Sequence, residues 1–261
     1  MSSPVPHIVI DAPYRSDVVA SPAPEIGWRT ETDIPGWLQA GAEVEVTRAG
    51  EVSSHRVDGR VSTRLAWPFA PLSAREEASL RVRVTGVDGD EGDWSEPQRV
   101  VAGFLADGEW KAVTIGLAAP AANAQPAYLR TEFDVTGPVA RATLYATALG
   151  VYQVAIDGVD VDDQVMKPGW TPYVHRTIHE TTDVTRLVAE GRNAIGVRLA
   201  GAWATESFGF RENARPLYAD QPRFAGQLLI EYADGSSEWI VTDASWQAST
   251  GPLTASGLYA G

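Results

Sequence analysis

The chain has 261 residues, 44% of them apolar and 21% charged, which suits a globular protein and excludes a disordered one. Its 21 Lys and Arg against 34 Asp and Glu leave a net charge of −13, spread along the chain, which repels a phosphate backbone and excludes nucleic acid as the expected partner. There is no cysteine, hence no disulfide, thiolate nucleophile or Cys-bound zinc, and no apolar run approaches the roughly 18 residues of a membrane span, so no membrane partner is expected.

The opening "MSSPVPHIVIDAPY" has neither a basic region nor a long apolar stretch, so a cytoplasmic location is the expectation. The length suits two medium domains. In "AEVEVTR", Val44 and Val46 alternate with charged residues, and in "SLRVRV", Leu80, Val82 and Val84 face one way while Arg81 and Arg83 face the other. This period of two marks half-buried strands. A turn from Gly86 to Gly92 leads to a further strand expected from Trp94 through Val100, and the acids inside that turn, Asp88, Asp90, Glu91 and Asp93, read as a solvated loop. Short strands without helical periodicity predict a fibronectin III-like or immunoglobulin-like β-sandwich over residues 1–105.

The Pro/Ala-rich "GLAAPAANAQPA" reads as a surface loop, after which the alternation resumes. "YLRTEFDV" puts Leu129, Thr131, Phe133 and Val135 on one face, and "YQVAIDGV" puts Tyr152, Val154 and Ile156 inward before a hairpin turn at Asp157-Gly158. "DVTRLVAEG" predicts a short helix capped by Asp183 and stopped by Gly191. "NAIGVRL" and two strands around Asp234-Gly235 complete the set, with Trp246 closing it. The fold class expected is all-β, with a second, jelly-roll-like sandwich and one short helix over residues 106–261.

Between these strands lies "KPGWTPYVHR", Lys167 to Arg176, dense in rings and charges. Pro168-Gly169 signals a turn and Pro172 favours extended chain at Thr171, so the stretch reads as a clasp pinned by Trp170 and Tyr173, with His175 and Arg176 outward. His175 and His179 are four apart, which suggests zinc, but the His-Glu-x-x-His order of a helical zinc site is absent and packed or surface histidines are the competing reading. Asp157, Asp160, Asp162 and Asp163 could offer oxygen ligands to calcium; they lack EF-hand spacing, and a solvated hairpin loop is the alternative. Trp203, Phe208, Phe210 and Arg211 form the sugar-facing cluster that the residue types nominate, and a packed aromatic seam is its rival.

The stretch from Leu144 to Trp203 resembles the N-terminal β-sandwich of bacterial α-L-rhamnosidases of glycoside hydrolase family 78. The residues that carry the resemblance are Tyr152, Asp157-Gly158, Pro168 to Thr171 with Tyr173, Asp183-Val184-Thr185, Gly191, Asn193 to Ile195 and Trp203. Ala202 and Ala204 depart from it, standing where the family usually has Gly and Tyr. The resemblance implies a parent enzyme that releases rhamnose from rhamnose-containing glycosides with inversion, its acidic catalytic residues lying in a C-terminal (α/α) barrel. This chain would then be a non-catalytic N-terminal portion whose partners are those catalytic domains. A stand-alone rhamnose-binding sandwich, with calcium as its cofactor, is the alternative that the resemblance leaves open.

Overall fold

A computed structural model of the chain describes residues 3–10, 17–119, 124–209 and 215–259. The chain divides into two compact units, Met1–Trp110 and Lys111–Gly261, and both are built from β-sheets.

The first unit contains β1 (Val5–Ile10), β2 (Val18–Val19), β3 (Ile26–Glu31), β4 (Gln39–Arg48), β5 (Glu51–Asp58), β6 (Glu77–Gly86) and β7 (Gln98–Ala102). Strands β1 and β3 pair as one sheet, and the other has the order β2-β7-β6-β4-β5. The alternation in sequence becomes the core directly: Ala42, Val44 and Val46 lie opposite Val84, Val82 and Leu80, all buried, and Ile26 and Trp28 join the same cluster. A buried indole must find an acceptor. Trp28 Nε1 donates to Gln39 Oε1 at 2.9 Å, and Gln39 Nε2 in turn donates to the Gly59 and Val61 carbonyls at 3.1 Å.

On the opposite face of β4 and β6 the same register pairs charges. Glu43 lies across from Arg83 and Glu45 across from Arg81, with ion pairs at 2.7 and 2.5 Å. Trp94 does not begin a strand as the pattern suggested. Its ring lies beneath both guanidinium groups, 4.4 and 4.9 Å from the centroid, and β7 starts only after Pro97, which lacks the N–H a ladder needs.

The second unit contains β8 (Ala127–Val135), β9 (Val139–Leu149), β10 (Val151–Ile156), β11 (Val159–Asp160), β12 (Glu180–Asp183), β13 (Gly191–Ala200), α1 (Ala202–Thr205), β14 (Ser207–Phe208), β15 (Arg215–Pro216), β16 (Arg223–Tyr232), β17 (Ser237–Val241) and β18 (Gln247–Thr250). Two antiparallel sheets, ordered β11-β10-β13-β8-β18 and β12-β9-β16-β17, enclose its core. Leu129, Phe133, Tyr152, Val154, Ile156, Ile195, Val197 and Leu199 meet Leu144, Phe224, Leu228 and Ile230 there. The Asp157-Gly158 turn takes φ of +48° and +82°, the two left-handed residues that join twisted strands in a two-residue hairpin. Residues 120–123 of the Pro/Ala-rich stretch lie outside the described residues.

The helix expected at Asp183 is absent at that place. Glu180–Asp183 forms an edge strand, and a single 3-10 turn, Thr185–Leu187, follows it. Asp183 turns the chain by accepting from the Thr185 N–H at 2.9 Å and its hydroxyl at 2.7 Å, and Gly191 opens β13 instead of closing a helix. Only residues 184–190 separate the two strands, and Val188 already takes extended backbone after the 3-10 turn, so no longer helix forms there. The α-helix among the described residues is α1, one turn after β13.

Candidate functional site

The clasp begins where the chain runs beside β10. Tyr152 N–H donates to the Lys167 carbonyl at 3.0 Å, so Lys167 forms a single bridge to β10 there. Met166 turns the chain at φ +60°, and Lys167 is carried inward, where its side chain is only 5% exposed. A buried ammonium requires a partner. Lys167 Nζ donates to Asp162 Oδ2 at 2.5 Å and lies 5.2 Å from the centre of the Tyr152 ring. Glu180 belongs to the same electrostatic neighbourhood: burial holds its carboxyl above the ordinary range, Lys167 pulls it down and Asp162 pushes it up. Burial, then the charges of Glu180 and Asp162, raises the Tyr152 phenol, which donates to the Ala146 carbonyl at 3.0 Å and has no role as a base.

Beyond a cis peptide at Lys167-Pro168 the chain turns through Gly169 and presents Trp170. This ring, 48% exposed, stacks on Trp203 at 6.3 Å and 5° and on Phe208 at 5.5 Å and 17°. Tyr218 meets both Phe208 and Tyr173 edge to face, at 5.8 and 5.1 Å. Of the four residues nominated for sugar contact, Trp203 and Phe208 therefore come together, while Phe210 and Arg211 lie outside the described residues. Their faces are turned to Trp170, so the stack joins the clasp to the segment after β13. Ala202, in the place of the family's glycine, takes φ of +40°, a left-handed conformation that strains an L residue, and Ala204 is fully buried where the tyrosine would stand. His175 and Arg176 are exposed, as the clasp reading expected.

The four acids do not converge. Asp157 Oδ1 accepts from the Ala194 N–H at 2.8 Å, Asp160 pairs with Arg198, Asp162 holds Lys167, and Asp163 is exposed. The first three each answer a separate donor, and no group of three or more His, Asp or Glu among the described residues is placed to hold a metal ion. The arrangement does not fit calcium at these residues. His179 is partly buried with its pKa lowered by that burial, its ring 6.3 Å from Tyr145, while His175 faces out.

The remaining motif residues turn out to satisfy the backbone. Asn193, 1% exposed, accepts from the Ala189 N–H at 3.0 Å and donates to the Ala189 and Gly191 carbonyls at 2.8 and 2.9 Å. Thr185 Oγ1 accepts from the Ala142 N–H at 2.9 Å, and Thr171 donates to the Arg176 carbonyl at 2.7 Å. Sequence reasoning missed Lys167 as a buried charge and Tyr218 as a member of the ring cluster. Nothing local signals either, since each depends on a contact with a distant segment.

Comparison with known proteins agrees with this organisation. Residues 15–106 match the family model described as a Rha78A-like N-terminal immunoglobulin domain, and residues 137–261 match that of the α-L-rhamnosidase N-terminal domain. An α-L-rhamnosidase of Formosa agariphila is 37% identical over 220 residues, 80% of this chain and 23% of the relative; one of an Alteromonas species is 31% identical over 226 residues, 83% and 24%. The crystal structure of the native α-L-rhamnosidase from Aspergillus terreus superposes with a TM-score of 0.89 at 33% identity, covering 98% of this chain and 31% of that one. The chain thus spans about a quarter of the length of the curated relatives it matches. With two family models in tandem and a shared fold along nearly its whole length, the chain belongs to the N-terminal β-domains of the α-L-rhamnosidases of glycoside hydrolase family 78.

Proposed function

We propose that these residues are the non-catalytic N-terminal portion of an α-L-rhamnosidase that hydrolyses terminal rhamnose from glycosides, with the reacting groups supplied by domains outside them. The observation that carries this reading is the lopsided match: relatives named for that activity align with most of this chain but with about a quarter of themselves. The chemistry of the site supports it. Acid-base hydrolysis of a glycoside needs two carboxyl groups facing one another across a cleft, in most families roughly 5–10 Å apart. The carboxylates around the clasp are instead committed to Lys167, to Arg198 and to a backbone N–H, which makes them braces. The aromatic stack fixes the loops at one end of the second sandwich in the same manner.

An aryl α-L-rhamnoside assay tests the reading. The longer protein that contains these residues is expected to release the aryl alcohol, and the 261-residue chain at the same molar concentration is expected to release none above buffer. Turnover by the short chain would overturn the assignment.

A further inference from the structure

The outer face of the sheet β11-β10-β13-β8-β18 carries a groove of about 320 Å³ that none of the motif residues explains. Its floor is a single cross-strand row: Gln153 of β10 lies opposite Arg198 of β13, and Arg198 lies opposite Tyr128 of β8. Residues directly opposite one another share a face. Their chain neighbours Val154, Val197 and Leu129 point into the core, so the three polar side chains point out together.

Two apolar walls border the row. Val165 and Met166 form one; Leu253 forms the other, held by Gln125 Nε2 donating to its carbonyl at 3.0 Å. Val165 and Leu253 are 72% and 61% exposed, too much for residues that serve only the core of this unit. Donors stand between the walls. Arg198 is anchored by Asp160 and keeps further N–H groups, and among the described residues neither the Tyr128 hydroxyl nor the Gln153 amide makes a hydrogen bond. Apolar walls around a floor of donors fit another protein surface, one that lowers an apolar side chain between the walls and turns carbonyl or carboxylate oxygens toward the row.

Which surface this is follows from the route of residues 251–259. Gly251 and Leu253 line the groove; Ser256 Oγ then accepts from the Gly201 N–H at 2.9 Å and donates to the Ala124 carbonyl at 3.2 Å, and Glu206 Oε2 accepts from the Leu258 N–H at 2.6 Å. Gly201 directly follows Ala200, another lining residue, so the route stays beside the groove. The curated relatives align with this chain over about a quarter of their own length, and in the functional reading above the remaining domains are joined to this route. A free partner needs roughly 800 Å² per side for a stable complex, far more than this groove offers. A tethered domain is present at an effective concentration in about the millimolar range and docks through a smaller contact.

We propose that the domain joined to this route in the longer protein docks on the groove and covers Tyr128, Val165, Met166 and Leu253; this rests on the functional reading and adds the surface to it. Met166 reports on the docking directly, as one of two methionines in the sequence. Dilute hydrogen peroxide converts an exposed thioether to the sulfoxide, with water as the other product, and peptide mass gives the rate. The 261-residue chain is expected to oxidise at Met166 at least about tenfold faster than the longer protein, because the docked form leaves an open fraction of about a tenth or less. Val165→Asp with Leu253→Asp in the longer protein should raise its rate to that of the short chain. Both residues lie outside the core, and unchanged melting of the short chain carrying the same pair checks the fold. Val9→Asp, at an exposed position in the first unit, should leave Met166 protected. Equal rates in the two proteins, or protection that survives the paired substitution, would overturn the proposal; so would protection that fades on dilution, which marks a second copy as the occupant. Release of aryl alcohol from an aryl α-L-rhamnoside is read on the same samples. Activity with Met166 unprotected sinks the docking and leaves the functional reading standing; protection without activity does the reverse.

Discussion

The two units treat charge in opposite ways. On β4 and β6 of the first, Arg81 and Arg83 sit directly opposite Glu45 and Glu43 on an outer face, and the two arginines share the Trp94 ring. In the second, Lys167 is carried inward by a loop that borrows the edge of β10, and Asp162 and Glu180 are drawn around it. Outer-face pairs follow from strand alternation and exchange one solvated state for another, so they contribute little. The buried group arises from an irregular segment and costs desolvation that its partners must offset. The difference teaches that a regular strand puts its charges where they are cheap to lose, while a clasp makes one charge a condition of its own geometry.

Substitution at the centre of each arrangement should break this contrast most widely. Lys167→Ala removes the partner of a mostly buried carboxylate and is expected to destabilise the second unit by about 3 kcal/mol. Arg83→Ala should change the first unit by no more than about 1 kcal/mol. Urea unfolding of the chain, with hydrogen exchange resolved to each unit, checks both; equal losses would erase the distinction.

Asn193→Ala has the next largest expected effect. It leaves the Ala189 N–H and two carbonyls near the start of β13 without their partner, at about 2 kcal/mol. Exchange should quicken first at residues 189–193, ahead of the strands. Uniform protection in the variant would show that water replaces the amide without loss.

The smallest effect is in pH dependence, and its sign differs between the units. The Arg48 guanidinium, helped by the Ser73 N–H, holds the Glu76 carboxyl down at about 2, so its contribution to the first unit is present above the ordinary carboxylate value and is lost as pH falls toward about 2. Glu180 is held up by burial, so its contribution to the second unit is full at low pH and is lost as pH rises through its folded value. Acidification from neutrality should therefore relieve the second unit at Glu180 before the first begins to suffer at Glu76. Glu180→Gln and Glu76→Gln should each flatten the midpoint-against-pH curve of its own unit, and a curve left unchanged by either would remove that residue from the account.

Much of the fold was legible in the chain. Period-two runs such as Leu80-Val82-Val84 and Tyr152-Val154-Ile156 marked strands and their inner faces, because a pleated chain exposes alternate side chains whatever its surroundings. The Asp157-Gly158 and Asp234-Gly235 turns were equally local, resting on the freedom of glycine at positive φ. Asp183 misled for the same local reason: an acid that can cap a helix can also close a tight turn, and β12 with its pairing to β9 decided between them.

The site was less legible. Trp203 and Phe208 could be nominated by type, but their stacking on Trp170 depends on two segments more than thirty residues apart meeting at one end of the sandwich. The acids from Asp157 to Asp163 looked like one cluster and were parted by strand pairing, which gave Asp160 to Arg198 and Asp162 to Lys167. The row of Gln153, Arg198 and Tyr128 had no local mark at all, since each is the ordinary outward residue of its own strand. Composition, period and turn chemistry are properties of neighbouring residues, so the sequence by itself determined the class, the strands, the hairpins and the family. Which charge is buried, which rings stack and which polar groups share a groove depend on register between distant strands, and that only the tertiary structure decided.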